Sequence, residues 1–258
     1  MEKTFSFQDP AGRRISAVLV SPHAPTDKMV VLCHGFMGYK DSPTNRILSD
    51  QLARQQVATL RFDFFGHGQS DGDVKDLLLT TLIAQTESAI ALMRGHGFTH
   101  IGLLGSSFGG LVATLVAANH PTLAAVALRC PVGDFPALLR RQFGRMAIEL
   151  WRRLGRVPES VGHIPVHYRF FEDCEQHDVY RAAQSLRVPT IIVHGDQDEV
   201  IPVKQSEELF TRVRAEKMLH VIPGADHRFS TPEHFNRMTE LLVGWLTRYL
   251  SVPSVSAQ

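Results

Sequence analysis

The chain has 258 residues, 44% of them apolar and 21% charged, and 27 Lys and Arg against 26 Asp and Glu leave a net charge of +1. That composition buries a sizeable core and excludes a disordered chain, and the balanced charge, with no long run of either sign, offers no footprint for a nucleic-acid or acidic-membrane partner. Length alone would permit two small domains, but large α/β folds often run this long, so a single domain over residues 1–258 is expected.

The N-terminus, Met1-Glu2-Lys3-Thr4, carries no apolar stretch before Pro10 and so predicts no secretion signal, and no run approaches the roughly 20 apolar residues of a membrane span. The cysteines Cys33, Cys130 and Cys174 are an odd set at wide spacings without a C-x-x-C pair. They predict buried free thiols in a soluble, cytoplasmic protein.

In chain order, short runs rich in β-branched residues predict strands at Ile15 to Val20, Met29 to Cys33, Ala58 to Phe62, Ile101 to Leu104, Ala124 to Leu128, Thr190 to Val193 and Met218 to Ile222. Several are too uniformly apolar for a half-solvated sheet. Helical patterns alternate with them. Ser42-Pro43 opens one to about Gln55, Asp76 to about Arg94 is longer, Phe108 to Asn119 is rich in Ala, Leu and Val, and Pro202 and Pro232 mark two further starts, the second leading to about Leu250. This alternation predicts crossover connections and an α/β fold: a mostly parallel central sheet with helices on both faces, whose ligands bind at the carboxyl ends of the strands.

The rhythm breaks between Leu128 and Thr190, where residues 133–182 are expected to form a mainly helical inserted cap. There Leu139, Phe143, Met146, Ala147, Leu150 and Leu154 recur at helical spacing and predict the buried face of an amphipathic helix, with Arg140, Arg141, Arg145, Arg152 and Arg153 on its solvated face. Residues 251–258 read as a frayed tail.

Gly105-Ser106-Ser107-Phe108-Gly109 is a G-x-S-x-G between a predicted strand and a predicted helix. A serine on so sharp a turn is pushed out above the sheet, and the flanking glycines relieve the crowding. Ser107, at its centre, is the candidate nucleophile. A neutral hydroxyl needs a base within reach, and the base needs a third group to hold its tautomer. The order serine, acid, histidine is met by His194-Gly195-Asp196-Gln197-Asp198 and then Gly224-Ala225-Asp226-His227, both following predicted strands. His227 is the candidate base. Asp198, further into its loop, is the candidate acid, with Asp196 and Asp134 as rivals; Asp226, adjacent to the histidine in sequence, is badly placed to orient its ring. Oxyanion donors are assigned to the backbone amides of Phe108 and of Phe36, in the loop His34-Gly35-Phe36. Two other signals are discounted. Gly66-His67-Gly68 has Asp71 where a dinucleotide loop needs its third glycine, and Pro165 between His163 and His167 argues against a metal site.

His34-Gly35-Phe36, Asp63-Phe64-Phe65-Gly66-His67-Gly68-Gln69-Ser70, the serine elbow, His194 to Asp198 and Asp226-His227 together resemble the α/β-hydrolase superfamily. More narrowly, the chain is similar to small carboxylesterases and serine-aminopeptidase-like hydrolases, including bacterial cinnamoyl and feruloyl esterases with an inserted cap. The resemblance runs from about Val30 to Leu246 and implies cleavage of a small-molecule carboxylic ester through an acyl-enzyme, aryl and hydroxycinnamoyl esters being candidates, with no cofactor and no metal. Thioester or amide cleavage, acyl transfer, lyase chemistry and a slow-turnover ligand receptor stay open, because a fold hosts many functions. The aromatic residues of the insert, Phe135, Phe143, Trp151, Tyr168, Phe170 and Phe171, are expected to include at least one substrate contact.

Overall fold

The computed structural model describes residues 1–157 and 165–251. Its strands are β1 (Glu2–Gln8), β2 (Arg14–Val20), β3 (Lys28–Cys33), β4 (Ala58–Phe62), β5 (His100–Ser106), β6 (Ala125–Arg129), β7 (Thr190–Gly195) and β8 (Lys217–Ile222). They form one sheet in the order β1-β2-β4-β3-β5-β6-β7-β8. β1 to β2 and β2 to β4 are antiparallel, and every later pair is parallel.

The helices are α1 (Pro43–Arg54), α2 (Leu79–Gly95), α3 (Phe108–Asn119), α4 (Phe135–Leu154), α5 (Tyr168–Glu175), α6 (Val179–Ser185), α7 (Val203–Arg212) and α8 (Pro232–Leu250). Alternate strand residues feed two cores, because successive side chains of a strand point to opposite faces. Val30, Leu32 and Leu104 pack with Leu48 and Leu52 of α1 and Leu242 and Leu246 of α8. Met29, Val31 and Leu103 pack with Leu82 of α2, Val112 of α3, Ala183 of α6 and Leu209 of α7 on the other face. Both faces of the central strands are covered, which is why they read as continuous apolar runs.

β1 has no counterpart among the predicted strands. Its sequence, EKTFSFQ, has only Phe5 and Phe7 to bury, and as an edge strand it pairs with β2 alone. The helix predicted from Asp76 begins instead at Leu79, after a single 3₁₀ turn, Val74–Asp76, whose cap is Asp73.

The described residues of the segment expected to form a cap depart further from expectation. Leu139 is buried as predicted, but Met146, Leu150 and Leu154 are exposed, Met146 by 89%, while Ile148 and Trp151 face inward. The cause is Gly144, whose φ of 77° and ψ of 162° interrupt the helix, so the apolar period restarts on a new face. The arginines are solvated as predicted: Arg152 and Arg153 pair with Glu149, and Arg140 pairs with Glu175. Of the discounted histidine pair, His163 lies outside the described residues, and His167 Nδ1 sits 3.3 Å from Asp76 at the start of α5. Residues 252–258 of the expected tail also lie outside them. Cys33, Cys130 and Cys174 are buried and free. Among the described residues no helix is long and apolar enough to cross a membrane.

Candidate active site

The candidate residues gather where the central strands end. β5 runs straight into α3, and Ser107 is the hinge, with φ 54° and ψ −118°. A positive φ in a residue with a side chain costs on the order of 1–3 kcal/mol, and such strain collects at functional sites. Here Met37, Ser107, Cys130 and Phe229 share it, and each follows a different strand of the sheet, β3, β5, β6 and β8. The Ser107 turn is held by its N–H donating to the Arg129 carbonyl (2.8 Å) and by its own carbonyl accepting from Gly110 (2.9 Å) and Val132 (3.1 Å).

The elbow glycines are required by proximity. A Cβ on Gly109 would lie 2.1 Å from the Cys33 carbonyl oxygen, and one on Gly105 would lie 2.4 Å from that of Gly109. Gly109→Ala is therefore expected to destabilise the fold by about 3 kcal/mol, the upper range for forced overpacking, or to prevent folding. Gly95→Ala, at an α2 position where a Cβ meets nothing within 4 Å, is expected to be neutral or stabilising. Denaturant midpoints of the two variants check the contrast.

The loop after β7 delivers Asp198 and the loop after β8 delivers His227. His227 Nδ1–H donates to Asp198 Oδ2 across 2.6 Å. The other carboxylate oxygen accepts the N–H groups of Val200 (2.9 Å) and Ile201 (2.7 Å). Burial works to raise the Asp198 pKa, but hydrogen bonds from His194 and His227 outweigh it and hold the carboxyl well below the usual carboxylate range. The rival acids are engaged elsewhere. Asp196 Oδ1 accepts the Gly224 N–H (2.7 Å) and so ties the two loops together, Asp134 caps α4 by accepting from Ala137 (2.8 Å), and Asp226 accepts from Ser230 (2.8 Å). Ser107 and His227 are not hydrogen-bonded to each other among the described residues.

The loop after β3 is stapled by two imidazoles. His34 Nδ1–H donates to the Gly35 carbonyl (2.8 Å) while Nε2 accepts from Phe64 N–H (3.0 Å). His67 Nδ1–H donates to the Phe65 carbonyl (2.9 Å) while Nε2 accepts from Met37 N–H (3.3 Å). Each ring must therefore be neutral, and burial, reinforced by the neighbouring His67, pushes the His34 pKa down to about 4. Beneath them Asp63 accepts from Lys40 N–H (2.6 Å), Lys40 Nζ (3.1 Å) and Gln69 N–H (2.9 Å). This buried network fixes Gly35 against Ser107: a Cβ on Gly35 would lie 3.3 Å from Ser107 Cβ. Neither the Phe36 nor the Phe108 N–H meets an acceptor among the described residues.

Sequence reading missed Arg129. Its carbonyl holds Ser107 N–H, and its guanidinium donates to the His227 carbonyl (2.9 Å) and lies 5.2 Å from the Phe229 ring, so one buried residue ties the elbow to the histidine loop. The available signal was a charged residue closing an otherwise apolar strand, Ala125–Arg129.

Helices α4 and α5 meet this edge through aromatic rings. Phe170 stacks on Phe36 at 5.8 Å and lies 5.7 Å from Phe108, and Phe135 lies 4.7 Å from Phe108 and 6.0 Å from Phe36. Phe135, Trp151, Phe170 and Phe171 are all buried, whereas Phe143 and Tyr168 stay partly open.

The family model for the α/β-hydrolase fold matches residues 28–153, and that for serine aminopeptidase matches residues 161–231. Est1E from Butyrivibrio proteoclasticus, solved with ferulic acid bound, superposes with a TM-score of 0.78 at 23% identity, covering 96% of this chain and all of that one. The chain has the α/β-hydrolase fold. Among relatives of this chain, the monoacylglycerol lipase of Mycolicibacterium smegmatis is 27% identical over 95% of this chain and 97% of its own. The human mitochondrial palmitoyl-protein thioesterase ABHD10 is 22% identical over 71% of this chain, and the match spans 61% of the relative's length.

Proposed function

We propose that this hydrolase is a serine esterase in which Ser107, His227 and Asp198 form the catalytic triad. The observation that carries the reading is the 2.6 Å His227–Asp198 pair at the same sheet edge as the strained Ser107 elbow. With Nδ1–H committed to Asp198, His227 Nε2 carries a lone pair. As an ester binds, Nε2 takes the Ser107 proton while Oγ attacks the carbonyl carbon; catalytic hydrogen bonds often tighten only in the complex. The oxyanion collects at the Phe36 and Phe108 amides, which have no competing acceptor among the described residues, and the second of these opens α3, whose N-terminal dipole adds to the stabilisation. Collapse expels the alcohol, protonated by His227, and water releases the acyl group by the same route.

Carboxylic esters are the proposed substrates, and residues 133–182 the proposed cap. The rings around Phe36 and Phe108, with the ferulic acid bound to Est1E, support trying aryl and hydroxycinnamoyl acyl groups first. The thioesterase name of the ABHD10 relative supports thioesters as a second class. Three buried free thiols suit a reducing compartment. Purified protein given p-nitrophenyl acetate, a hydroxycinnamoyl ester and an acyl thioester should show steady turnover of at least one. A single stoichiometric burst with all three would reject the esterase reading in favour of a ligand receptor.

Phe36 separates backbone from side-chain roles. Phe36→Leu keeps the amide and loses ring contacts with Phe108, Phe135 and Phe170, so kcat is expected to fall less than about tenfold while preference among acyl groups changes. Parallel kcat and KM measurements on acetyl and hydroxycinnamoyl esters check this, and total inactivity in a folded variant would contradict the backbone role.

A further inference from the structure

We infer that His194, backed by Ser206, is a positioning residue for the hydrolytic site, its Nε2–H holding the Asp198 carboxylate in the orientation that serves His227. This rests on the triad reading above. His194 lies in β7 and is fully buried. Its Nε2 is 3.1 Å from Asp198 Oδ2 and 3.0 Å from the Ile201 carbonyl oxygen. Both neighbours are acceptors, so Nε2 must carry the proton. Its Nδ1 is 2.6 Å from Ser206 Oγ, on the buried face of α7, and with Nε2 protonated in a neutral ring Nδ1 accepts the serine O–H. A continuous chain follows: Ser206 O–H donates to His194 Nδ1, His194 Nε2–H is shared between the Ile201 carbonyl and Asp198 Oδ2, which it faces at 3.1 Å, and His227 Nδ1–H donates to the same carboxylate oxygen.

Asp198 Oδ2 thus sits between two imidazoles with opposite tasks. His227 shuttles a proton, whereas His194 is enclosed and fixed as a donor. The other ionisable groups facing the pair are engaged elsewhere, except the Cys130 thiol, a weak hydrogen-bond donor beside Asp198. The Arg129 guanidinium donates to the His227 carbonyl, Glu199 accepts the main-chain N–H of His227 (3.3 Å), and Asp226 accepts from Ser230. Cys130 Sγ lies within 4.8 Å of ligand-type atoms of Asp198 and His227, but burial, with the adjacent carboxylate, pushes its thiol pKa up and keeps it protonated. A purely structural histidine tying β7 to α7 would also be buried and bonded, so the test must read the chemistry.

His194→Phe keeps the ring and removes the donor, whereas His194→Gln restores an N–H near the Nε2 position. Without that donor the Asp198 charge falls more fully on the His227 proton and stabilises the imidazolium. For a neutral ester, the acid limb of kcat/KM reports the free-enzyme base. It is expected to move to higher pH by about half a unit in His194→Phe, commensurate with one lost hydrogen bond. The same variant should lower kcat by roughly tenfold or more with little change in KM, as loss of an outer partner of a functional histidine does. His194→Gln should return the limb toward its original position. Ser206→Ala, a milder change that preserves folding, should move it in the same direction by less. An acid limb that stays put or moves down in folded His194→Phe or in Ser206→Ala, or a Gln variant that does not rescue, overturns the inference. Turnover by the unmodified protein and its loss in Ser107→Ala test the triad reading separately. If they hold while the limb stays unmoved, only the role of His194 falls.

Discussion

Ser107→Ala is expected to lower kcat for a short p-nitrophenyl ester by on the order of 10⁵–10⁶, because the triad acts as a unit and what remains is the oxyanion hole and substrate binding. Stability should hardly change. The Ser107 hydroxyl has no hydrogen-bond partner among the described residues, and the turn is held by main-chain bonds that alanine keeps: Ser107 N–H to the Arg129 carbonyl, and Gly110 and Val132 N–H to the Ser107 carbonyl. Labelling by a fluorophosphonate should vanish with turnover. Ser106→Ala is the matched control, since Ser106 ends β5 with its hydroxyl buried and without a partner among the described residues, and its loss should leave both readouts near their original level. A Ser107→Ala protein that still labels and turns over would place the nucleophile elsewhere, and Ser106 would be the first residue to re-examine.

The elements that could be read from sequence are those whose local pattern and buried environment agree. The strand Ala58 to Phe62 and the helix Phe108 to Asn119 have the predicted bounds, because the first alternates apolar Ala58, Leu60 and Phe62 with polar residues and the second is apolar nearly throughout. The serine elbow was legible because a G-x-S-x-G between strand and helix leaves few conformations open, and the placement of Asp198 and His227 because each follows a strand at the same edge. What escaped depends on contacts distant in sequence. β1 exists because β2 offers it an edge, not because its own sequence insists on a strand. The inward face of α4 could not be read past Gly144, since only the structure reveals that this glycine adopts a positive φ instead of continuing the helix. Arg129 and His194 act across loops: one grips the His227 carbonyl 98 residues away, and the other reads from sequence as the first letter of a loop motif. Buried polar residues of this kind are informative because each must find a partner, and the partner here is the machinery itself.

Asp198→Asn is expected to cut kcat by roughly 10⁴, with Asp196→Asn and Asp134→Asn within a few-fold of the unmodified protein. The geometry fixes which way the introduced amide points. Oδ1 of Asp198 accepts two backbone N–H groups, Val200 and Ile201, so the amide oxygen must take that position and the NH₂ must take that of Oδ2. There it confronts His227 Nδ1 and His194 Nε2, both donors to the carboxylate. His227 is driven to the tautomer protonated at Nε2, the atom that must accept the Ser107 proton, and the negative charge that stabilised its imidazolium form is gone. The rivals tolerate the same change for local reasons. Asparagine at 196 keeps an oxygen for the Gly224 N–H, and asparagine at 134 caps α4 about as well as aspartate does. Steady-state kinetics on one neutral ester, with melting temperatures recorded to exclude unfolding, compares the three. The folded Asp198 carboxyl is held below its unfolded value, so its contribution to stability is present at neutral pH and is lost as pH falls through and below the ordinary carboxylate range; Asp198→Asn should therefore also melt lower than either rival at pH 7. A larger loss of kcat at Asp196 or Asp134 would move the acid there and break the chain from Ser206 to His227 at its centre.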